Sequence, residues 1–298
     1  MYFSCDMCGI MAEELVNRIA LGIEYNGSQF CGWQRQPQRC SVQDALEQAL
    51  SRLTGNPVAV VAAGRTDAGV HATGQVVHFE TAAQWPLTAW VRGVNAFLPD
   101  RVSVLWAQPV SRDFHARFSA VSRSYRYILL NRPVRPALKT GMAGWYHKPL
   151  DTTIMQQAAD YLLGKHDFSS FRAAECQANS PVRIMHRLRV ERMDEEIVFE
   201  LTANAFLQHM VRNIVGALVY VGAGKQSPNW IGDLLQQCDR TRAAPTFSAD
   251  GLYLCHVAYD EGWGLPHPDS RETGITGAVS RGSQAAAERT VFYPGASA

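Results

Sequence analysis

From Arg18 to Tyr25 apolar residues fall on every second position, with Ile19, Leu21, Ile23 and Tyr25 sharing one face, before Asn26-Gly27 ends the run with turn chemistry. The pattern predicts a half-buried strand. Ser41, with Asp44 three residues on, then opens a helix whose apolar stripe is Val42, Ala45, Leu46, Ala49, Leu50 and Leu53 and which stops near Gly55. Strands are predicted at 58–63, 75–80 and 102–108, and a second helix at 87–97. Residues 114–118 read as a linker, 122–130 as a strand and 131–136 as a proline-marked turn. A similar order follows: helix 152–163 with Gly164 at its end, strands 184–193 and 197–203, helix 207–220, a further helix beginning at Ser227-Pro228, and a closing strand at 251–259.

These elements predict an α+β fold of two similar α/β halves, 18–115 and 116–260, which would face each other across a cleft. The N-terminal extension, 1–17, lacks periodicity. The stretch 261–298 is rich in Gly, Ser, Ala and Pro, the composition of a disordered tail.

At 298 residues and 47% hydrophobic, the chain is long enough for a large core or two. No stretch approaches the roughly 18 to 20 apolar residues of a membrane span. Residues 1–18 carry no secretory pattern either, so a cytoplasmic protein is expected. Seven scattered cysteines, an odd number, read as free thiols in a reducing compartment. Cys5 and Cys8 are spaced as a CxxC pair, but no second pair of Cys or His follows to complete a zinc site, so no metal is expected. The formal net charge is only +1, which does not by itself point to nucleic acid. All but four of the 28 basic residues are arginine, the side chain suited to bidentate phosphate contact and base stacking. Biased genome composition explains that excess equally well.

Between the strands at 58–63 and 75–80 lies Gly64-Arg65-Thr66-Asp67-Ala68-Gly69-Val70-His71-Ala72. One carboxylate is set among two glycines, an arginine and a histidine, as in an active-site loop. Gly64 and Gly69 permit φ > 0 and close approach of a ligand. An isolated Thr-Asp-Ala-Gly equally reads as a hairpin loop whose Asp caps its own backbone. The longer string resembles, without a mismatch, the catalytic motif of the tRNA pseudouridine synthase A family. Stretches at Phe30–Pro37, Ser122–Tyr127, Phe206–Gly216 and Gly251–Leu254 resemble the same family in the same order. The likeness covers roughly Arg18 to Tyr259.

That resemblance implies antiparallel sheets around a central RNA-binding active-site cleft. It also implies a cofactor-independent isomerase that turns uridine into pseudouridine at positions 38 to 40 of the tRNA anticodon stem-loop, working as a homodimer away from membranes. The reaction breaks the bond between uracil N1 and the ribose, turns the ring and rejoins it through C5. Nothing is oxidised, so no redox cofactor is required. What is required is an ionised carboxylate, as nucleophile or to stabilise positive charge on the sugar, and a nearby cation is the usual way to keep a partly buried one ionised. Asp67 takes the first part.

Arg212 is the candidate for the second. It lies beside the apolar face formed by Val211, Ile214, Val215 and Leu218, and spacing leaves open a surface arginine or a buried one in need of a partner. The family implies a pair with Asp67. Gln208 departs from the family, in which a basic residue is common at that point. Tyr125 and Tyr127 alternate like core aromatics, and the resemblance gives Tyr125 uracil stacking and a part in moving the C5 proton. Leu252 and Leu254 are implied as the apolar wall of the base pocket, or equally plain core. Arg65 is suited to fill the space that a flipped base vacates. Phe114, His115, Ala116, Arg117 and Phe118, with Glu175, Cys176, Gln177, Ala178 and Asn179, are the implied tRNA-contacting segments. His71 is expected to orient the loop through hydrogen bonds rather than to bind metal. A glycosidase would need a second acid, for which Glu80 is the nearest candidate.

Overall fold

The first alternating run forms β1 (Asn17–Tyr25), which pairs antiparallel with β3 (His71–Thr81) on one side and β4 (Val102–Val110) on the other. In the computed structural model residues 17–266 are described. The expected extension before Asn17, with Cys5 and Cys8, and the expected tail beyond 266 lie outside the described residues. The first six residues of that tail are placed, and the ring of Trp263 packs edge-on against Phe114 at 5.3 Å.

α1 (Val42–Thr54) begins as its sequence predicts, because Ser41 and Asp44 form a reciprocal capping box and Gly55 closes the helix in the left-handed conformation. β2 is only Val61–Ala62. Its predicted first residues do not pair because helix side chains take their donors. Ser51 Oγ accepts from the Val58 N–H at 3.0 Å and the buried Glu47 carboxylate from the Val60 N–H at 3.0 Å. α2 (Leu87–Asn95) then packs Trp90 and Val94 under β4.

β5 (Ala120–Asn131) comes next. The remaining elements are β6 (Gly144–Tyr146), α3 (Thr152–Asp160), β7 (Gly164–Asp167), β8 (Val182–Met193), β9 (Glu196–Ala203), α4 (Met210–Gly222), α5 (Trp230–Gln237) and β10 (Leu252–Tyr259). β6 and β7 are too short to read as strands in sequence. Asp151 caps α3 by accepting from the Thr153 and Ile154 N–H groups.

The described strands form one mixed sheet in the order β4-β1-β3-β10-β5-β9-β8-β7, with β2 added to β3 and β6 to β5. Most pairs are antiparallel. The seam within this sheet is a short parallel pairing of β10 with β3, Tyr253 with His71 and Leu254 with Ala72. Two apolar clusters fill the layers on either side of that seam. One joins Leu21, Ile23, Leu46, Leu50, Phe79 and Trp90, the other Leu129, Met155, Phe199, Ile214, Leu218 and Leu234. Tyr125 packs against both. Of the thirteen residues of α4 only Arg212 and Tyr220 escape burial, as expected for a helix apolar almost all round.

Candidate active site

Asp67 sits in the loop from β2 to β3, beside the seam. The loop is propped from behind. The Trp33 N–H donates to Thr66 O at 2.9 Å, and the buried Gln75 amide donates to Gly64 O at 2.7 Å. The Tyr25 hydroxyl shares a hydrogen bond of 2.8 Å with Thr66 Oγ1, and burial pushes its pKa up to about 12. Gly69 has φ +80, the freedom expected of it, whereas Gly64 has neither a left-handed backbone nor a close neighbour. Gly32, in the stretch 30–37, closes on the loop from the other side. A Cβ there would meet Thr66 O at 2.9 Å, with Ala68 N and the Asp67 carbonyl carbon each at 3.1 Å.

His71 orients the end of the loop. Its Nδ1 accepts from the Gly27 N–H at 3.1 Å, so the proton is on Nε2, which faces Asp250 O at 3.1 Å. Burial holds this imidazole below its ordinary pKa, and its ring stacks on Tyr253 at 4.5 Å.

Across the seam, Arg212 donates from Nη1 to Asp67 Oδ2 at 3.2 Å and from Nε to Phe247 O at 2.9 Å. A lone guanidinium on an otherwise buried helix needs a partner, and a carboxylate 145 residues earlier supplies it. His209 Nε2 stands 3.5 Å from the same Oδ2. The half-buried Tyr125 lies on the neighbouring strand, its ring edge-on to Phe206 at 4.9 Å. Burial, followed by the nearby Tyr25 and the Asp67 charge, pushes its phenol well above the ordinary tyrosine range. A carboxylate, the guanidinium paired with it and a phenol held protonated therefore converge on one place, a set suited to nucleophilic attack or to stabilising positive charge, with an aromatic ring alongside.

The model of the tRNA pseudouridine synthase family matches residues 22–119 and 158–260. A protein from Methylobacillus flagellatus named tRNA pseudouridine synthase A is 61% identical over 84% of this chain and 95% of its own length. The protein of that name from Thiobacillus denitrificans is 56% identical over 85% and 98%. The chain belongs to the tRNA pseudouridine synthase A family. Its reaction class is accordingly that of an isomerase. A solved Cbf5-Nop10-Gar1 complex also aligns, at 11% identity and TM-score 0.33 over 79% of this chain and 48% of that one.

In this pseudouridine synthase the remaining predicted residues divide between core and surface. Leu252 is 5% exposed and Leu254 fully enclosed beside Tyr125. Tyr127 is buried and donates to Ser248 O at 2.9 Å, the structural part expected of it. Phe114 and Ala116 are fully buried, which corrects their reading as RNA contacts. Phe114 packs with His78, Tyr259 and Trp263, and the Ala116 N–H donates to His78 Nδ1. The outer side of that segment is His115, Arg117 and Phe118. The Phe118 ring is 76% exposed and lies 4.3 Å from the His115 ring, with the Arg117 guanidinium 5.6 Å above it. Arg65 is exposed and makes no hydrogen bond or ion pair among the described residues. Glu175, Gln177 and Asn179 are exposed, while Cys176 and Ala178 lean on the core.

The cysteine reading also needs correction, since Cys31 and Cys40 form a disulfide. The chain doubles back between them, bringing their Cα atoms to 5.5 Å with the Cys31 N–H on Cys40 O. Cys176, Cys238 and Cys255 are free. Tyr25 reads in sequence only as a strand-face residue, and nothing in local pattern points to a part for Gly32, Gln75, Arg123 or His209. Gly32, Arg123 and His209 lie inside family-like stretches, the one signal that pointed their way.

Proposed function

We propose that the chain converts uridine to pseudouridine at positions 38 to 40 of the tRNA anticodon stem-loop, with Asp67 as the nucleophile. The observation that carries the reading is the Arg212–Asp67 pair, which joins two of the family-like stretches across the seam. Relatives that align over nearly their whole length bear the name tRNA pseudouridine synthase A, which supports tRNA as the substrate.

The target nucleotide is extruded before it reaches Asp67, at a cost of about a few kcal/mol of unstacking. Arg65, exposed two residues before the nucleophile, takes the vacated place in the stack. Uracil stacks on Tyr125, with Leu252 and Leu254 behind. The bond from N1 to C1′ breaks, the sugar carbon is taken or stabilised by Asp67, and the ring turns so that C5 bonds to C1′. C5 loses its proton and N1 gains one. A phenol held protonated suits stacking and donation, and it can accept the C5 proton only after giving up its own. His115, Arg117 and Phe118, with Glu175, Gln177 and Asn179, contact the RNA outside the pocket, where an exposed aromatic beside cations suits stacked bases and phosphates. The enzyme works as a homodimer in the cytoplasm, one tRNA held across both subunits. No helix among the described residues is long and apolar enough to cross a membrane.

The test is tritium release from tRNA carrying 5-tritiated uracil, with Asp67→Asn compared in parallel for folding and tRNA binding. Release that disappears in the variant while binding survives is the expected result. Intact binding without release by the unaltered protein, over a range of unmodified tRNAs, overturns the enzyme reading in favour of an RNA-binding protein.

A further inference from the structure

His209 stands at the N-cap of α4 with φ 61 and ψ 1, a left-handed backbone that glycine or asparagine adopts more easily. Its surroundings hold it there. The Gln208 carbonyl accepts from the Ala173 N–H at 2.9 Å, and the His209 carbonyl accepts from the Asn213 N–H at 2.9 Å. Asn213 is itself buried, donating to Phe171 O while its Oδ1 accepts from Arg240 and Thr246. A residue kept in a sparsely populated conformation beside an active site calls for a reason.

Helix capping is not that reason, since the imidazole makes no cap hydrogen bond. Its Nε2 instead lies 3.5 Å from Asp67 Oδ2, the oxygen that Arg212 Nη1 also approaches, at 3.2 Å. His209 precedes α4 and Arg212 lies in its first turn, and both side chains reach the same carboxylate oxygen. Two nitrogen groups thus converge on Oδ2, whereas Oδ1 has no polar partner among the described residues.

We propose that His209 is a positioning residue for the isomerisation: its Nε2–H joins Arg212 in holding Oδ2, so that Oδ1 is the oxygen presented to ribose C1′. The inference rests on Asp67 being the essential carboxylate. The left-handed turn aims the imidazole across the seam, and the guanidinium and imidazole together fix the rotation of the carboxylate about its own axis. A single donor would leave that rotation free.

The test compares single-turnover tritium release at saturating tRNA for the unaltered protein, His209→Gly, His209→Gln and Asp67→Asn, with tRNA affinity and melting temperature measured alongside. Glycine accepts the left-handed backbone, so His209→Gly keeps its melting temperature. Its rate is expected to fall by about 10- to 100-fold, the worth of one hydrogen bond to a charged group, with tRNA affinity unchanged. Glutamine reaches as far as Nε2 with a neutral N–H donor and recovers most of the loss. A glycine variant as fast as the unaltered protein overturns the proposal, as does a rate loss matched by an equal loss of tRNA affinity, or a glutamine variant as slow as the glycine one. If Asp67→Asn is silent while His209→Gly is unaffected, only the positioning role falls. An active Asp67→Asn ends both readings.

Discussion

Gly32 carries no functional group, yet it sets how closely the stretch 30–37 can approach the loop that carries Asp67. With φ +99 and backbone atoms of Thr66, Asp67 and Ala68 about to crowd any Cβ, a side chain there forces the loop to move rather than the neighbour to yield. Gly32→Ala is expected to destabilise by about 1–3 kcal/mol, the range for overpacking. It should also slow single-turnover tritium release by about 10²-fold, because small misplacements of a reacting group cost that much. A rate equal to that of the unaltered protein would mean that the loop does not need this contact. The glycine is plain in the sequence, but its reason is not, since Thr66 is 34 residues away along the chain and meets it only when β1 and β3 have paired.

Arg123, at the start of β5, works between elements. Nη1 donates to Ala120 O at 3.2 Å and Asn204 O at 3.0 Å, and Nη2 to Ala63 O at 3.0 Å and Arg117 O at 2.7 Å. One guanidinium therefore ties the end of β2, the linker before β5 and the turn after β9, which are the approaches to the Asp67 loop, the Phe118 surface and α4. Burial pulls its pKa below the ordinary arginine range. Arg123→Met leaves four carbonyls without their donor and is expected to cost about 2–4 kcal/mol, read as a lower urea midpoint. Arg123→Lys keeps the charge but not the planar fork, and it should recover only part of the loss. Faster amide exchange at 64–69 in either variant would locate the loosened element, and an unchanged midpoint would count against the tie.

Acid stability belongs to the whole molecule. His78 is 5% exposed, with Nδ1 accepting from the Ala116 N–H at 3.1 Å, so the fold needs the neutral ring. Burial first, then Arg18 and His115, lowers its pKa from 6.5 to about 4. A histidine whose folded pKa is depressed contributes fully above its unfolded value, and that contribution is lost as pH falls from about 6.5 to about 4. His71 is shifted in the same direction, chiefly by burial. The melting temperature should thus decline across that window, and His78→Asn, which keeps an acceptor but no titration, should flatten the decline. An equally steep profile in that variant would assign the acid loss to other groups.

Local chemistry determined much of this protein. The capping box at Ser41 and Asp44 set α1, alternation set β1, and the unbroken apolar face of α4 made Arg212 a cation in search of a partner. The string from Gly64 to Ala72, with the stretches that resemble the same family, named the family and its reaction class. Such features are legible because capping, alternation and helical spacing act over a few residues. Tertiary structure decided the rest. The parallel seam of β3 with β10 brings His71 beside Tyr253 and Asp67 beside Arg212, contacts that no local preference encodes. Packing shortened β2 when Glu47 and Ser51 took its donors, buried Phe114 and Ala116, and brought Cys31 to Cys40. It also turned His209 left-handed where periodicity had placed it inside a helix, because fixed neighbours on both sides outweigh the small preference of one residue for its own backbone conformation.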